Sequence, residues 1–122
     1  MKARESDRIG MRADRLSQYR IMWVMVYFDL PTLSPKERKE AARFRKNLIQ
    51  DGFTMFQFSI YVRHCASREN AEVHSIRVRG RIPARGFVVV MSITDKQFGE
   101  IELYHGGKNS PHPDTPQQLE LF

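Results

Sequence analysis

Residues 21–30, with the sequence IMWVMVYFDL, decide how this chain folds. Eight apolar residues follow one another before Asp29, and most of them are β-branched or aromatic. A run of this length and composition predicts a β-strand that is buried on both faces, and therefore a central strand of a sheet. Pro31 ends the strand because its nitrogen carries no hydrogen to donate. Asp29 is consequently expected at the carboxyl end of a core strand, where a carboxylate without partners is costly.

A capped helix is predicted directly after this strand. Residues 34–37 read SPKE, which is a capping box with proline at the first helical position. The helix is expected to end at Gly52. Ala41, Phe44 and Leu48 share one face, so the helix is expected to pack on a sheet. The opposite face carries a basic stripe, formed by Lys39, Arg43 and Lys46.

The middle of the chain predicts more strand and a second helix. Residues 53–64 are rich in aromatic and β-branched side chains, which is typical of strands. Residues 57–59 interrupt the pattern, so this segment forms either one bent strand or two. A second capped helix is predicted over residues 68–79, with Val73 and Ile76 facing inward.

The last third of the chain predicts strands and a connecting segment. Residues 87–93 form another apolar strand, and residues 94–97 make a short capped turn. Residues 100–105 alternate between apolar and polar, which indicates an edge strand with one solvent-exposed face. Residues 106–116 are rich in glycine and proline and are expected to be a linker. Residues 117–122 alternate again and are expected to form a docking strand.

The order of these elements predicts an α+β sandwich with the helices on one face of a sheet. For a domain of about 85 residues, the ferredoxin-like βαββαβ layout with an extra C-terminal strand is the natural candidate. The domain is expected to span residues 21–105, after a flexible basic extension over residues 1–20. A chain of 122 residues buries only a modest core, so association into a homodimer would stabilise it.

The positive charge is concentrated in the middle of the chain. Residues 36–85 carry twelve Lys or Arg against five Asp or Glu, whereas residues 86–122 carry two against five. A basic middle favours a polyanionic partner, and nucleic acid is the common one. Ordinary solvated helix faces are the alternative explanation. The arginines after the second helix continue the basic region: Arg77, Arg79, Arg81 and Arg85.

Composition also narrows the environment of the protein. Cys65 is the single cysteine, so no internal disulfide can form, which suits a reducing cytoplasm. No stretch reaches the roughly 18 apolar residues of a membrane span. We therefore expect a cytoplasmic protein without a membrane partner.

Strong enzyme motifs are absent from the sequence. It contains no glycine-rich phosphate loop, CxxC pair, HExxH motif or nucleophile elbow. Asp29 is the one carboxylate in an unusual place. It either caps the following loop or helix near the positive helix terminus, or provides a hard oxygen ligand for Mg²⁺. Residue chemistry alone favours the cap.

Three segments in this order carry a family resemblance. They are residues 26–31 (VYFDLP), residues 52–63 (GFTMFQFSIYVR) and residues 86–97 (GFVVVMSITDKQ), with the basic helix after the first. Over residues 21–105 the chain resembles the small second family of CRISPR-associated adaptation proteins. This family partners the spacer integrase, and the variant resembles those found beside single-effector systems.

The resemblance implies a homodimer that acts as a scaffold. Two ferredoxin-like copies would pack sheet to sheet, and the segment after the fourth strand would cross to the partner. The dimer would lie between two integrase dimers, with double-stranded DNA over its basic surface. We rank this role first.

The resemblance also implies a nuclease as an alternative. Some family members are described as metal-dependent endonucleases acting on RNA or double-stranded DNA, and Asp29 matches their proposed Mg²⁺ ligand. Two such carboxylates would face each other across the dimer axis. A free-standing endonuclease similar to the virulence-associated toxins, and a generic ferredoxin-like interaction module, are the competing hypotheses.

The C-terminal residues, QLELF over 118–122, are expected to add as a strand to some sheet edge. Leu119 and Leu121 point one way and Phe122 the other. Three partners stay open: the edge strand of its own dimer, the integrase, or the bacterial sliding clamp, whose binding motif this pentapeptide resembles.

Overall fold

The computed structural model describes residues 19–112. Their elements run in the order β1 (Met22–Asp29), α1 (Pro35–Gln50), β2 (Thr54–Gln57), β3 (Ile60–Cys65), α2 (Arg68–Arg79), β4 (Phe87–Thr94), α3 (Asp95–Gly99), β5 (Leu103–His105) and β6 (Lys108–Ser110). None of the helices in this range is long and apolar enough to cross a bilayer.

The main sheet has four antiparallel strands in the order β2-β3-β1-β4. Strand β1 pairs with both β3 and β4, so the prediction of a central strand is confirmed. The segment 53–64 forms two strands, β2 and β3, rather than one bent strand. Helices α1 and α2 pack on the same face of this sheet, through Phe44 and Leu48 of α1 and Val78 of α2. The predicted ferredoxin-like α+β sandwich is therefore confirmed.

Helix α1 begins at the predicted capping box. The hydroxyl of Ser34 accepts a hydrogen bond from the Glu37 backbone N–H at 3.1 Å, and the Glu37 carboxylate accepts one from the Ser34 N–H at 2.9 Å. These two bonds satisfy donors that the first helical turn leaves unpaired. The predicted apolar face is buried as expected: Ala41, Phe44 and Leu48.

Alternate side chains of β1 form the main core under these helices: Met22, Val24, Val26 and Phe28. Phe28 meets Phe44 of α1 edge to face, with ring centroids 5.3 Å apart. Fully burying a side chain of this kind contributes about 1.5 to 3 kcal/mol. This face of the sheet accounts for most of the hydrophobic stabilisation that holds α1 in place.

The predicted inward face of α2 is wrong. Val73 and Ile76 are 44% and 55% exposed, while Ala71, His74, Ser75 and Val78 are buried. The buried set keeps the i, i+3, i+4, i+7 spacing of a single helix face. The prediction chose the most apolar side chains, whereas the sheet accepts small residues and one histidine whose ring is hydrogen-bonded.

The opposite face of the sheet is only half covered. Trp23 stacks on Phe98 of α3 with ring centroids 3.8 Å apart, and its indole N–H donates to Asp95 at 2.7 Å. Phe56 and Val62 complete this second cluster. The other half of this face, which we call the open face, exposes four large apolar side chains: Tyr27, Phe87, Val89 and Met91.

The segment after α3 differs from its prediction. Of residues 100–105, only Leu103–His105 is a strand, and it pairs with Lys108–Ser110 rather than with the main sheet. Strand β6 therefore falls within the predicted linker 106–116. Gly106 and Gly107 connect the two strands with positive φ values, as tight hairpin turns require. Strand β4, and not residues 100–105, forms an edge of the main sheet.

Candidate nucleic-acid interface and metal site

Asp29 lies at the carboxyl end of β1 on the side of the sheet away from α1 and α2. It is exposed, and its backbone partner across the sheet is Phe87. No described residue donates a hydrogen bond to its carboxylate. The interpretation of Asp29 as a helix cap is wrong, because Ser34 caps α1. The carboxylate is therefore free to bind something else.

Gly86 lets the neighbouring loop lie against the backbone of Asp29. Its φ is +94°, and a Cβ atom there would lie 2.6 Å from the backbone oxygen of Asp29. Residues with a side chain rarely adopt that conformation, and the contact leaves no room for one. Glycine therefore lets β4 begin directly beside the end of β1.

A magnesium ion fits Asp29 only in part. Its exposed carboxylate offers the oxygen chemistry that Mg²⁺ prefers. Within residues 19–112, however, no three His, Cys, Asp or Glu side chains are grouped to hold a metal ion. One carboxylate binds Mg²⁺ weakly, because the ion keeps most of its waters. A second carboxylate from another copy of the chain would strengthen such a site.

The predicted basic stripe lies on the other side of the molecule. Lys39, Arg43 and Lys46 are all exposed on α1, facing away from the sheet. Because Asp29 points from the opposite face of the sheet, the stripe and the carboxylate do not form one site. A duplex lying along α1 would not touch Asp29 of the same protomer.

The four arginines of the second predicted group have different environments. Arg77 pairs with Asp51 at 2.8 Å, Arg79 with Glu72 at 3.5 Å, and Arg85 with Glu37 at 3.8 Å. Arg81 forms no ion pair with any described residue. Together with Arg43 it lines a groove between α1 and the loop after α2. The structure thus brings Arg43 and Arg81 together. Each of the other three arginines has a carboxylate partner.

A buried ionic cluster, which the sequence analysis missed, joins the two helices. The Asp51 carboxylate lies 2.8 Å from Nδ1 of His74 and 2.8 Å from the guanidinium of Arg77. Arg63 donates to the backbone oxygen of Asp51 at 2.7 Å. Burial raises the pKa of Asp51, but the hydrogen bonds from His74 and Arg77 outweigh it, so the pKa lies below its ordinary value. No residue spacing indicates this cluster, because Asp51 and His74 meet only in three dimensions.

The fold, the basic helix face and the free strand-end carboxylate define a small ferredoxin-like protein with one polar and one apolar side. The profile of the family described as CRISPR associated protein Cas2 matches residues 22–101. The chain therefore belongs to this family of CRISPR adaptation proteins, as the sequence resemblance predicted.

Relatives of known name agree with this assignment. The chain is 60% identical over 108 residues to the CRISPR-associated endoribonuclease Cas2 of Flavobacterium psychrophilum, covering 88% of this chain and 94% of that protein. It is 57% identical over 101 residues to the protein of that name from Parvibaculum lavamentivorans, covering 83% and 100%. A third, from Paracidovorax avenae, is 40% identical over 107 residues, covering 88% and 99%.

The predicted docking strand lies outside the described residues. Leu119, Leu121 and Phe122 belong to it, and their proposed contact with a partner stays a prediction. The predicted basic extension lies almost entirely outside the described range as well. The residue nearest to the tail within that range is His112, which packs edge to face on Phe98 at 4.7 Å.

Proposed function

We propose that this protein is a homodimeric scaffold that bridges double-stranded DNA and integrase dimers during spacer acquisition. The observation that carries the proposal is the division of the sheet into two unlike sides. The helices present basic residues on one side, and the open face presents uncovered apolar residues on the other. One side can therefore associate with a second copy while the other binds nucleic acid.

The open face suits association with a second copy. Phe87 is 75% exposed, and Val89 and Met91 are close to half exposed. They alternate along β4, so their side chains form one surface with Tyr27 of β1. Strand β4 also leaves the backbone groups of one edge without a strand partner in the main sheet. A contiguous apolar surface beside an open strand edge is typical of an interaction site.

The helix side suits the phosphate backbone of a duplex. Lys39, Arg43, Lys46 and Arg81 are exposed and form no ion pair with a described residue. Each is therefore free to replace a counterion at a phosphate. Contacts from such side chains to phosphates position a protein on DNA but carry no sequence information. The binding that this surface supports is independent of DNA sequence.

A salt titration tests this proposal. Random duplex DNA is titrated against the full-length protein between 50 mM and 200 mM salt by fluorescence anisotropy. Three or four neutralised phosphates predict that log K falls with log salt with a slope of about −2.7 to −3.6 per protomer. The conclusion is contradicted by a slope near zero, or by a strong preference for one DNA sequence. Failure to bind any nucleic acid would favour the generic interaction module.

A second candidate function is that of a Mg²⁺-dependent endonuclease acting on RNA or double-stranded DNA. The free carboxylate of Asp29 favours it, and so do the endoribonuclease names of the relatives. A bound Mg²⁺ would supply a Lewis acid that activates water and stabilises charge on the phosphate. The part of Asp29 is to hold the ion at the end of β1.

Replacing Asp29 with asparagine is expected to abolish any Mg²⁺-dependent cleavage while leaving the fold intact. The fold should survive because no described residue donates a hydrogen bond to this carboxylate. Cleavage of labelled RNA and duplex DNA is measured with Mg²⁺ and with EDTA, and thermal unfolding is followed for both proteins. Glu69→Gln is the matched control, since it makes the same change from carboxylate to amide at an exposed residue of α2 and should not change cleavage. Full cleavage by the Asp29→Asn protein would show that Asp29 is not the ligand.

A further inference from the structure

A groove lies between α1 and the loop that follows α2. It encloses about 260 Å³. Arg43 and Asn47 lie on one wall, one helical turn apart on the same face of α1. Arg81 lies on the facing wall, and the loop residues 82–84 close the side. Two guanidinium groups and one amide, from two separate elements, therefore border a single groove.

Neither arginine of the groove forms an ion pair with a carboxylate of the described residues. The neighbouring arginines Arg77, Arg79 and Arg85 each have a carboxylate within 4 Å. Glu40 is the one acidic residue that borders the groove, and it forms no ion pair with Arg43 or Arg81. The groove therefore carries two positive charges and one half-buried negative charge, and this net positive charge favours an anion.

Ion pairs connect α1 to both ends of the segment that borders the groove. The ion pair between Arg77 and Asp51 fixes the end of α2 to the end of α1, at 2.8 Å. The longer pair between Arg85 and Glu37 ties the end of the loop to the start of α1. The Arg81 backbone N–H also donates to Val78 at 3.0 Å. A site arranged before binding loses less conformational entropy when its ligand arrives.

We infer that this groove is a binding site for a single phosphate group of the DNA backbone, held between the guanidinium groups of Arg43 and Arg81. Asn47 donates an amide hydrogen bond to the same phosphate. The inference rests on the proposed binding of duplex DNA along the helix side. It adds a fixed point to that surface: Lys39 and Lys46 attract the duplex as point charges, whereas the groove sets its position.

The planar guanidinium group allows an experiment that distinguishes this site from a surface that binds phosphate by charge alone. Arginine donates two parallel hydrogen bonds to a phosphate, while lysine offers a point charge of the same sign. Arg43→Lys and Arg81→Lys therefore keep the net charge of the protein but lose the paired hydrogen bonds. Arg79→Lys is the matched control, since Arg79 is also an exposed arginine near the end of α2 but pairs with Glu72.

The experiment measures affinity of the four full-length proteins for a random duplex at fixed salt, together with the Arg43→Lys/Arg81→Lys double variant. Each groove variant is expected to bind about tenfold more weakly, the typical effect of losing a hydrogen bond between charged groups. The double variant should lose much less than a hundredfold, because both arginines hold the same phosphate. The affinity of the Arg79→Lys control should stay within about twofold of the wild-type affinity.

Three results would overturn the inference. Groove variants that bind as well as the Arg79→Lys control would show a diffuse basic surface. Fully additive losses would place the two arginines on different phosphates. Inorganic phosphate, added as a separate probe and followed by NMR of the arginine side chains, tests the source of the ligand. Strong binding of free phosphate without any effect of the variants on DNA affinity would rule out the DNA backbone as the ligand. If even the wild-type protein binds no duplex, the proposed function itself fails, which separates the two outcomes.

Discussion

Replacing Asp51 with alanine is expected to lower the free energy of unfolding by about 3 kcal/mol. The side chains of Asp51 and His74 are only 9% and 6% exposed, so the loss would leave the His74 ring buried without its partner. Breaking a fully buried ion pair typically costs about 3 to 5 kcal/mol. The lower end applies here because Arg77, the other partner, is half exposed and can be solvated when the carboxylate is removed.

Urea denaturation of the wild-type and Asp51→Ala proteins measures this difference. Glu72→Ala is the matched control, because it also removes a carboxylate from an arginine, Arg79, but in a pair that is more than half exposed. That control should change the free energy of unfolding by less than about 1 kcal/mol. If Asp51→Ala and Glu72→Ala have equal effects, the buried cluster does not stabilise the contact between α1 and α2.

The same cluster predicts how stability depends on pH. The pKa of Asp51 is lowered in the folded protein below its ordinary value of 3.8. A lowered pKa means that the ionised carboxylate stabilises the fold above the unfolded value, and that this contribution is lost as the pH falls through the folded value. The difference in stability between wild type and Asp51→Ala should therefore shrink below pH 3.8.

Local patterns allowed most of the fold to be predicted from the sequence. The apolar run of β1 and the capping box at Ser34 each depend on neighbouring residues only, so both were found. The hairpin of β5 and β6 was missed because Lys108–Ser110 has no apolar alternation to indicate a strand. The inward face of α2 was wrong because the burial of His74 depends on Asp51, which is 23 residues away in the chain.

The candidate site shows the same limit. The exposed stripe on α1 was predictable, since it follows from helical spacing alone. The sequence could not separate Arg81 from Arg77, Arg79 and Arg85, because that difference depends on which carboxylates fold beside them. The sequence also could not settle whether Asp29 is a cap or a Mg²⁺ ligand. The answer depends on whether its side chain reaches a helix terminus in the folded protein.

Replacing Val89 with glutamate is expected to convert the proposed dimer into a monomer. Val89 is 49% exposed in the isolated protomer and lies opposite Tyr27, in the middle of the open face. In a dimer that buries this face, each copy would place a carboxylate in an apolar interface, at a cost of several kcal/mol per charge. In the monomer the same side chain points into water. The free energy of unfolding of the protomer should therefore stay within about 1 kcal/mol of the wild-type value.

Sedimentation velocity of both proteins measures this change, and Ile49→Glu serves as the matched control. Ile49 is an apolar residue of similar exposure, 55%, but it lies on α1, away from the open face. Ile49→Glu should leave the dimer intact. A Val89→Glu protein that stays dimeric would show that the open face is not the interface, and a monomeric wild-type protein would refute the homodimeric scaffold.

The variant also separates the two activities of the proposed scaffold. A monomer keeps the basic helix side and should still bind duplex DNA, but with one copy in place of two it should no longer hold two integrase dimers together in a pull-down.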